Sequence, residues 1–186
     1  MAVKIGIIAE DESDVQVLKI LLSKVYPKKF AVNSFVGKGC GKLKVKALPW
    51  AKSLHTKGCD RLLLVHDRDR HDEVDLRKQL EAVLANAPQI KTSVVIPVEE
   101  LEGWLLSDEK AIKKALKLKS SVAEIHHPEN TASPKEFLGK MVSAASRKIV
   151  TYVNTVHNPL IASEIDVSKI QKKCPSFARI TDFFSK

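Results

Sequence analysis

Cysteine is scarce in this chain, and its placement excludes two chemistries. The three cysteines, Cys40, Cys59 and Cys174, are scattered over 186 residues. They form no Cys-x-x-Cys pair, so no zinc knuckle or dithiol redox motif is present, and reduced structural thiols are expected. Cys40, between glycines, is the one expected at the surface. Aromatic residues are also few, at 5%, which argues against single-strand nucleic-acid binding on stacking platforms. No apolar run approaches the ~18–20 residues that cross a bilayer, so no membrane partner is expected. The N-terminal apolar stretch is short and meets acid at Glu10. It lacks a signal peptide's apolar core and cleavage site, so a cytoplasmic location is expected. A His-Glu-x-x-His helix and a Walker A loop are missing as well.

Positive charge is abundant. Lys and Arg number 31 against 22 Asp and Glu, a formal net charge of +9. This balance favours a polyanionic partner, most simply nucleic acid held through its phosphate backbone. With 44% hydrophobic residues, a chain of this length can bury roughly 70% of its unfolded surface without a disulfide or metal staple.

Hydrophobic periodicity predicts alternating strands and helices. Val3–Ala9, Phe30–Val36, Arg61–Val65 and Thr92–Val98 read as buried strands rich in branched residues. Between them, Val15, Leu18, Leu22 and Val25 recur at helical spacing, with Asp11 or Ser13 as the cap. Lys44–His55 reads as a helix broken or started near Pro49, and Asp72–Ala87 as another. A helical segment holding Trp104, expected in the core, begins near Glu99. This order specifies an α/β fold with a mostly parallel sheet flanked by helices. From Asp108 onward a basic helix over Lys110–Lys119, a polar loop over Ser120–Pro134, and helices over Pro134–Ala145, Pro159–Lys173 and Phe177–Phe184 are expected. The division is therefore an α/β core over residues 1–107 and an α-helical C-terminal extension over residues 108–186, packed on that core.

Acidic side chains gather where three strands end. They are Glu10-Asp11-Glu12-Ser13-Asp14, Asp67-Arg68-Asp69 and Glu99-Glu100-Leu101-Glu102. In an extended segment Asp67 and Asp69 share a face. Each group also has a structural reading, as a helix first turn or a salt-bridged turn. Together, at the carboxyl ends where parallel sheets bind ligands, they point to a hard dication, Mg²⁺ or Mn²⁺, and to phosphoryl chemistry. The segment Gly37-Lys38-Gly39-Cys40-Gly41-Lys42, continuing to Lys44, reads as a flexible loop or a phosphate-backbone contact. Arg68 and Arg70 can neutralise a phosphate or pair with their neighbours. His66 reads as a residue that orients those around it.

Glu10-x-x-x-Asp14 after the first strand with Asp67-x-Asp69 after the third resembles the Toprim domain. Topoisomerases, DnaG-type primases, recombination-repair proteins and OLD-family nucleases share that fold. The family's usual glycine after the glutamate is Asp11 here. The stretch Pro97–Asp108 and Cys174-Pro175-Ser176-Phe177 are similar to a group of short prokaryotic Toprim-like proteins related to OLD-type nucleases. Some of these are encoded beside ATPases, in an arrangement suggestive of phage defence. The resemblance implies a Mg²⁺-dependent nuclease, with Glu10, Asp14, Asp67, Asp69 and Glu100 catalytic. Glu10, Asp67, Asp69, Glu100 and Glu102 would be metal ligands, and Lys38, Lys42, Lys44, Arg68 and Arg70 would contact nucleic acid. An associated ATPase is a second implied partner. The other readings are a non-catalytic component that binds nucleic acid or an ATPase around a structural metal, and a phosphoryl-accepting receiver domain, which needs a fifth strand.

Overall fold

The structure is a computed structural model that describes residues 3–37, 40–88 and 90–184. Strands β1 (Val3–Ala9), β2 (Phe30–Val36), β3 (Arg61–Val65) and β4 (Lys91–Val95) alternate with helices α1 (Glu12–Val25), α2 (Cys40–Thr56) and α3 (Glu73–Leu84). They form one parallel sheet in the order β2-β1-β3-β4. The chain steps outward from β1 to β2, then returns past β1 to β3 and on to β4. The winding direction therefore reverses between β1 and β3, which opens a crevice at their carboxyl ends.

Alternation along the strands fills both faces of the sheet. Ile5, Ile7, Leu63 and Val65 point into one core, beneath α1. Ile8, Leu62 and Leu64 point into the other, beneath α2 and α3, with Leu43, Leu54, Leu76 and Leu80. The remaining helices are α4 (Glu102–Leu105), α5 (Glu109–Ala115), α6 (Pro134–Ala145), α7 (Asn154–Glu164), α8 (Val167–Lys173) and α9 (Ala178–Asp182). Their apolar faces continue the core under α1, where Trp104, Leu138, Ile161, Ile170 and Phe177 are all fully buried. The molecule is thus an α/β sheet flanked by helices, with a C-terminal helical part.

Local departures from the sequence reading have physical causes. Residues Lys44–His55 were expected to break or start at Pro49, but α2 begins at Cys40 and runs through Pro49. Proline's missing donor costs one backbone bond, and the seating of Leu43, Ala47, Ala51 and Leu54 in the core outweighs it. The expected strand Thr92–Val98 is shorter, Lys91–Val95. The helix expected from Glu99 starts only at Glu102, because Glu99 has φ +59°, a conformation no α-helix contains. Helix α7 begins at Asn154, ahead of Pro159, and is separate from α8. Among the described residues no helix is long and apolar enough to cross a membrane.

Candidate functional site

Three strand ends deliver carboxylates to the crevice. Glu10 leaves β1, and its Oε1 accepts a hydrogen bond from the backbone N–H of Asp67, just beyond β3, at 3.0 Å. Asp67 in turn accepts at Oδ1 from the N–H of Leu101, in the segment after β4, at 3.0 Å. One chain of hydrogen bonds therefore ties all three strand ends together. Asp14 arrives from the first turn of α1, locked by a capping box: Asp11 accepts from Asp14 N–H at 3.1 Å, and Asp14 accepts from Asp11 N–H at 3.0 Å. Of the two candidate caps, Asp11 is the one used.

Burial and like charge dominate the electrostatics. Burial, opposed by the Asp67 N–H and reinforced by the charges of Asp69 and Asp11, pushes Glu10 up to about 7. Burial and the Asp11 charge push Asp14 up to about 8. Asp67 is raised well above the carboxylate range by burial, then by the charges of Asp14, Glu10, Glu102 and Asp69. Glu102 is raised by burial, against the bond from Asn158. Among the described residues no Lys or Arg forms an ion pair with Glu10, Asp14, Asp67 or Glu102. Glu10 instead has His66 Nδ1 at 3.1 Å, and burial pushes that imidazole toward its neutral form.

The three glutamates after β4 separate into three roles. Glu99 is tied to the Arg68 guanidinium and accepts from the Arg70 N–H at 3.0 Å. Glu100 accepts from Lys135 N–H at 2.8 Å, in the first turn of α6. Glu102, only 4% exposed, faces Asp67 and Asp14. It is steadied by the C-terminal helices: Asn158 Nδ2 donates to it at 3.0 Å and to Ser13 Oγ at 3.2 Å, and the Tyr152 hydroxyl lies 3.4 Å away.

Asp69 does not share an extended face with Asp67. It is exposed in a turn at φ +48°, and Arg70 follows at +64°. With Glu99, these are left-handed residues that are not glycine, in the two loops lining the crevice. Each costs ~1–3 kcal/mol and persists only where neighbours enforce it. Here Asp69 N–H bonds to Glu99 O at 3.2 Å and Arg68 N–H to Pro97 O at 3.1 Å. A cavity of about 240 Å³ beside them is lined by Asp69, Arg70, Glu99, Glu100, Ala132 and Ser133.

The expected phosphate contacts scatter. Lys44 lies close enough to Glu10 to lower its pKa and bonds Gln79 Oε1 at 3.4 Å. Lys42 and Arg70 are exposed, and Arg68 is engaged by Glu99. Lys38 lies outside the described residues. Sequence reasoning missed Asn158 and Tyr152, and gave Ser13 no role beyond a possible cap. Nothing local marks the first two, because tertiary packing brings them to Glu102, while Ser13 joins through Asn158.

The raised side chains Glu10, Asp14, Asp67 and Glu102 offer carboxylate oxygens, the donors a hard dication takes, and the His66 imidazole lies beside Glu10. Among the described residues no group of three or more His, Cys, Asp and Glu side chains is set to hold a metal ion as it stands. A family model described as a domain of unknown function, DUF4276, matches residues 9–184. No curated protein and no solved structure matches.

Proposed function

The chain belongs to the DUF4276 family, and we propose that it is a metal-dependent phosphodiesterase, a nuclease of Toprim type acting at the crevice between β1 and β3. One observation carries the reading. Glu10, Asp14, Asp67 and Glu102 are held together at the carboxyl ends of a parallel sheet, each with a raised pKa and none with a Lys or Arg ion pair among the described residues. Such a cluster keeps its charge at neutral pH only with a cation beside it.

Glu10 and Asp67 would hold Mg²⁺ or Mn²⁺, with Asp14, Asp69 and Glu102 around them. Glu100, bonded to the first turn of α6, takes a supporting place. The bound ion supplies Lewis-acid polarisation of a phosphate and a lowered pKa for water. The chain's own residues do the rest. Glu10 is raised to about 7 without an ion, so it would give up its proton from Oε as the ion binds. Leu101 N–H fixes Asp67 by Oδ1, and no hydrogen bond among the described residues occupies Oδ2. Lys44 and the exposed Lys42 give a phosphate backbone positive charge on the α2 side of the crevice. The overall charge of +9 favours the same polyanion, DNA or RNA.

A second reading has its own support. Glu10, Asp14, Asp67 and Glu102 each accept a hydrogen bond, so the cluster also suits a non-catalytic component that binds nucleic acid or a partner ATPase. Plasmid, linear DNA, single-stranded DNA and RNA, incubated with Mg²⁺, Mn²⁺ or EDTA, separate the two. Metal-dependent cleavage that disappears in folded Glu10→Gln and Asp67→Asn proteins is the expected result. Salt-sensitive binding without turnover on every substrate would replace the nuclease by the binding component.

A further inference from the structure

The two edges of the sheet are finished differently. At β4 the outer edge is closed: Arg77, from α3, donates to Val94 O at 2.8 Å, and α9 packs against the strand. At β2, among the described residues, no side chain donates to the outer edge of the strand. Its seven residues, Phe30-Ala-Val-Asn-Ser-Phe-Val36, include no charge, no proline and no bulge, the devices that normally protect an edge.

The ladder fixes which groups are free. Gly37 N–H bonds to Ala9 O at 2.9 Å. A residue's N–H and C=O leave the same side of a strand, and sides alternate. Ala31, Asn33 and Phe35 therefore face β1, while Phe30, Val32, Ser34 and Val36 turn theirs outward. Among the described residues none of those outward groups has a hydrogen-bond partner.

We propose that two copies of this chain pair their β2 edges antiparallel about a two-fold axis at Asn33, making one continuous sheet and bringing each copy's Lys29 to the rim of the other's acidic crevice. The inference does not depend on whether that crevice is catalytic. A two-fold contact must match a surface to itself, so paired residue numbers sum to a constant. With the axis at Asn33, Phe30 lies opposite the partner's Val36 and Val32 opposite the partner's Ser34. All four outward residues then fall in hydrogen-bonded pairs, using the whole strand. On the α2 face Phe35, stacked on Trp50 at 5.4 Å, meets the partner's Ala31, large against small.

Charge selects a second copy over an unrelated strand. The same register brings the partner's Lys29 beside Gly37, whose N–H bonds to Ala9 O, the residue before Glu10. Lys29 is exposed. Continuing the two ladders by one residue at each end would put the lysine and Glu10 on one face about two strand spacings, ~10 Å, apart at Cα. Glu10 has no Lys or Arg ion pair among the described residues of its own chain, and two such side chains together span that gap.

Sedimentation of the full chain from about 1 to 200 µM tests the proposal, a range that brackets micromolar association. A monomer–dimer equilibrium is expected. Proline fits an outward edge position, where no ladder donor is lost. Ser34→Pro should therefore keep the circular dichroism spectrum and weaken the dimer about a hundredfold or more, by removing paired hydrogen bonds at two symmetric places. Lys29→Glu should weaken it about tenfold, an effect that fades with salt. Hydrogen exchange on the unmodified chain needs no variant: the amides of Val32, Ser34 and Val36 should gain protection as concentration rises. A monomer at every concentration overturns the proposal, as does a dimer that Ser34→Pro leaves intact or fast exchange of those amides in the dimer. An unaltered Lys29→Glu dimer overturns the lysine contact and this register.

Discussion

Among the described residues, Asp108 and the crevice group of Glu10, Asp14, Asp67 and Glu102 hold carboxylates on opposite principles. Asp108, 4% exposed, caps α5 by accepting from the N–H groups of Lys110 and Ala111, each at 3.2 Å, and takes the Asp166 N–H at 3.1 Å. Lys169 Nζ sits 2.7 Å from it. Burial would raise its pKa, but the Lys169 bond and the backbone donors outweigh burial and hold it below the usual range. The crevice carboxylates are buried beside one another, with pKa values driven upward. Asp108 shows what a structural carboxylate looks like in this fold: fully donated to and paired with a cation inside the chain. The crevice departs from that pattern, which is the physical reason to look for a cation from outside.

The largest effect that would sharpen the contrast is on activity. If Asp67 holds an ion as proposed, Asp67→Asn should lower metal-dependent cleavage by about 10³-fold or more. It should leave the thermal midpoint within a few degrees. Asp108→Asn should do the reverse. Losing the charge for Lys169 and weakening the cap costs about 2 kcal/mol, or roughly 4–8 °C for a domain of this size. Cleavage per folded molecule should not change. Equal loss of activity in both, at equal stability, would erase the distinction.

The contrast was partly legible in the sequence. The parallel sheet followed from four apolar runs and the helical spacing between them. Glu10 and Asp67 were marked by falling directly after strands. The separate fates of Glu99, Glu100 and Glu102 were not readable, because they depend on the left-handed turn at Glu99 and on what α6 and α7 bring against it. Asp69 was misplaced for a similar reason: an extended segment was assumed where Arg68 and Arg70 bind Glu99 and the chain turns. Asp108 and Lys169 are distant in sequence, and only the packing of the helical part pairs them. Strand ends are local information, whereas the partners of a buried charge are tertiary.

A second test turns on the sign of the pH dependence. Glu10 and Asp14 carry folded pKa values of about 7 and 8 against unfolded values of 4.5 and 3.8. The folded protein therefore holds more protons than the unfolded one between those limits. Metal-free stability is accordingly greatest near pH 4 on account of these groups and falls as pH rises toward 8. Asp108, with its lowered value, contributes stability that is lost only in acid. Above pH 7, Mg²⁺ should restore the midpoint of the metal-free protein and release protons as it binds. Glu10→Gln should raise the metal-free midpoint at pH 8 by about 2–4 °C and abolish part of the Mg²⁺ response, with no gain at pH 4. Calorimetry across pH, with and without Mg²⁺, reads all of this. A midpoint that rises between pH 5 and 8 without metal would show that the crevice carboxylates are stabilised as Asp108 is.

The smallest expected effect asks whether the two regions are independent. The Tyr152 hydroxyl has one proton, and it goes to Asn158 Oδ1, which is much nearer than Glu102 at 3.4 Å. That bond fixes which way the Asn158 amide points, so its Nδ2 donates to Ser13 Oγ and to Glu102 Oε1. Tyr152→Phe removes the lock and keeps the ring. Its own cost is about 1 kcal/mol, a few degrees at most. If the helical part only props up the core, metal affinity should not move. If it also aims Glu102, Mn²⁺ affinity measured by titration should fall about three- to tenfold, below the 10–100-fold typical of direct second-sphere partners, because Tyr152 acts through Asn158. Asn158→Asp, which puts one more negative charge beside Glu102, should push that carboxyl further up and shift the pH at which metal binds to higher values. An affinity indifferent to both changes would confine the site to the strand ends and leave the C-terminal helices, like Asp108 within them, to stability alone.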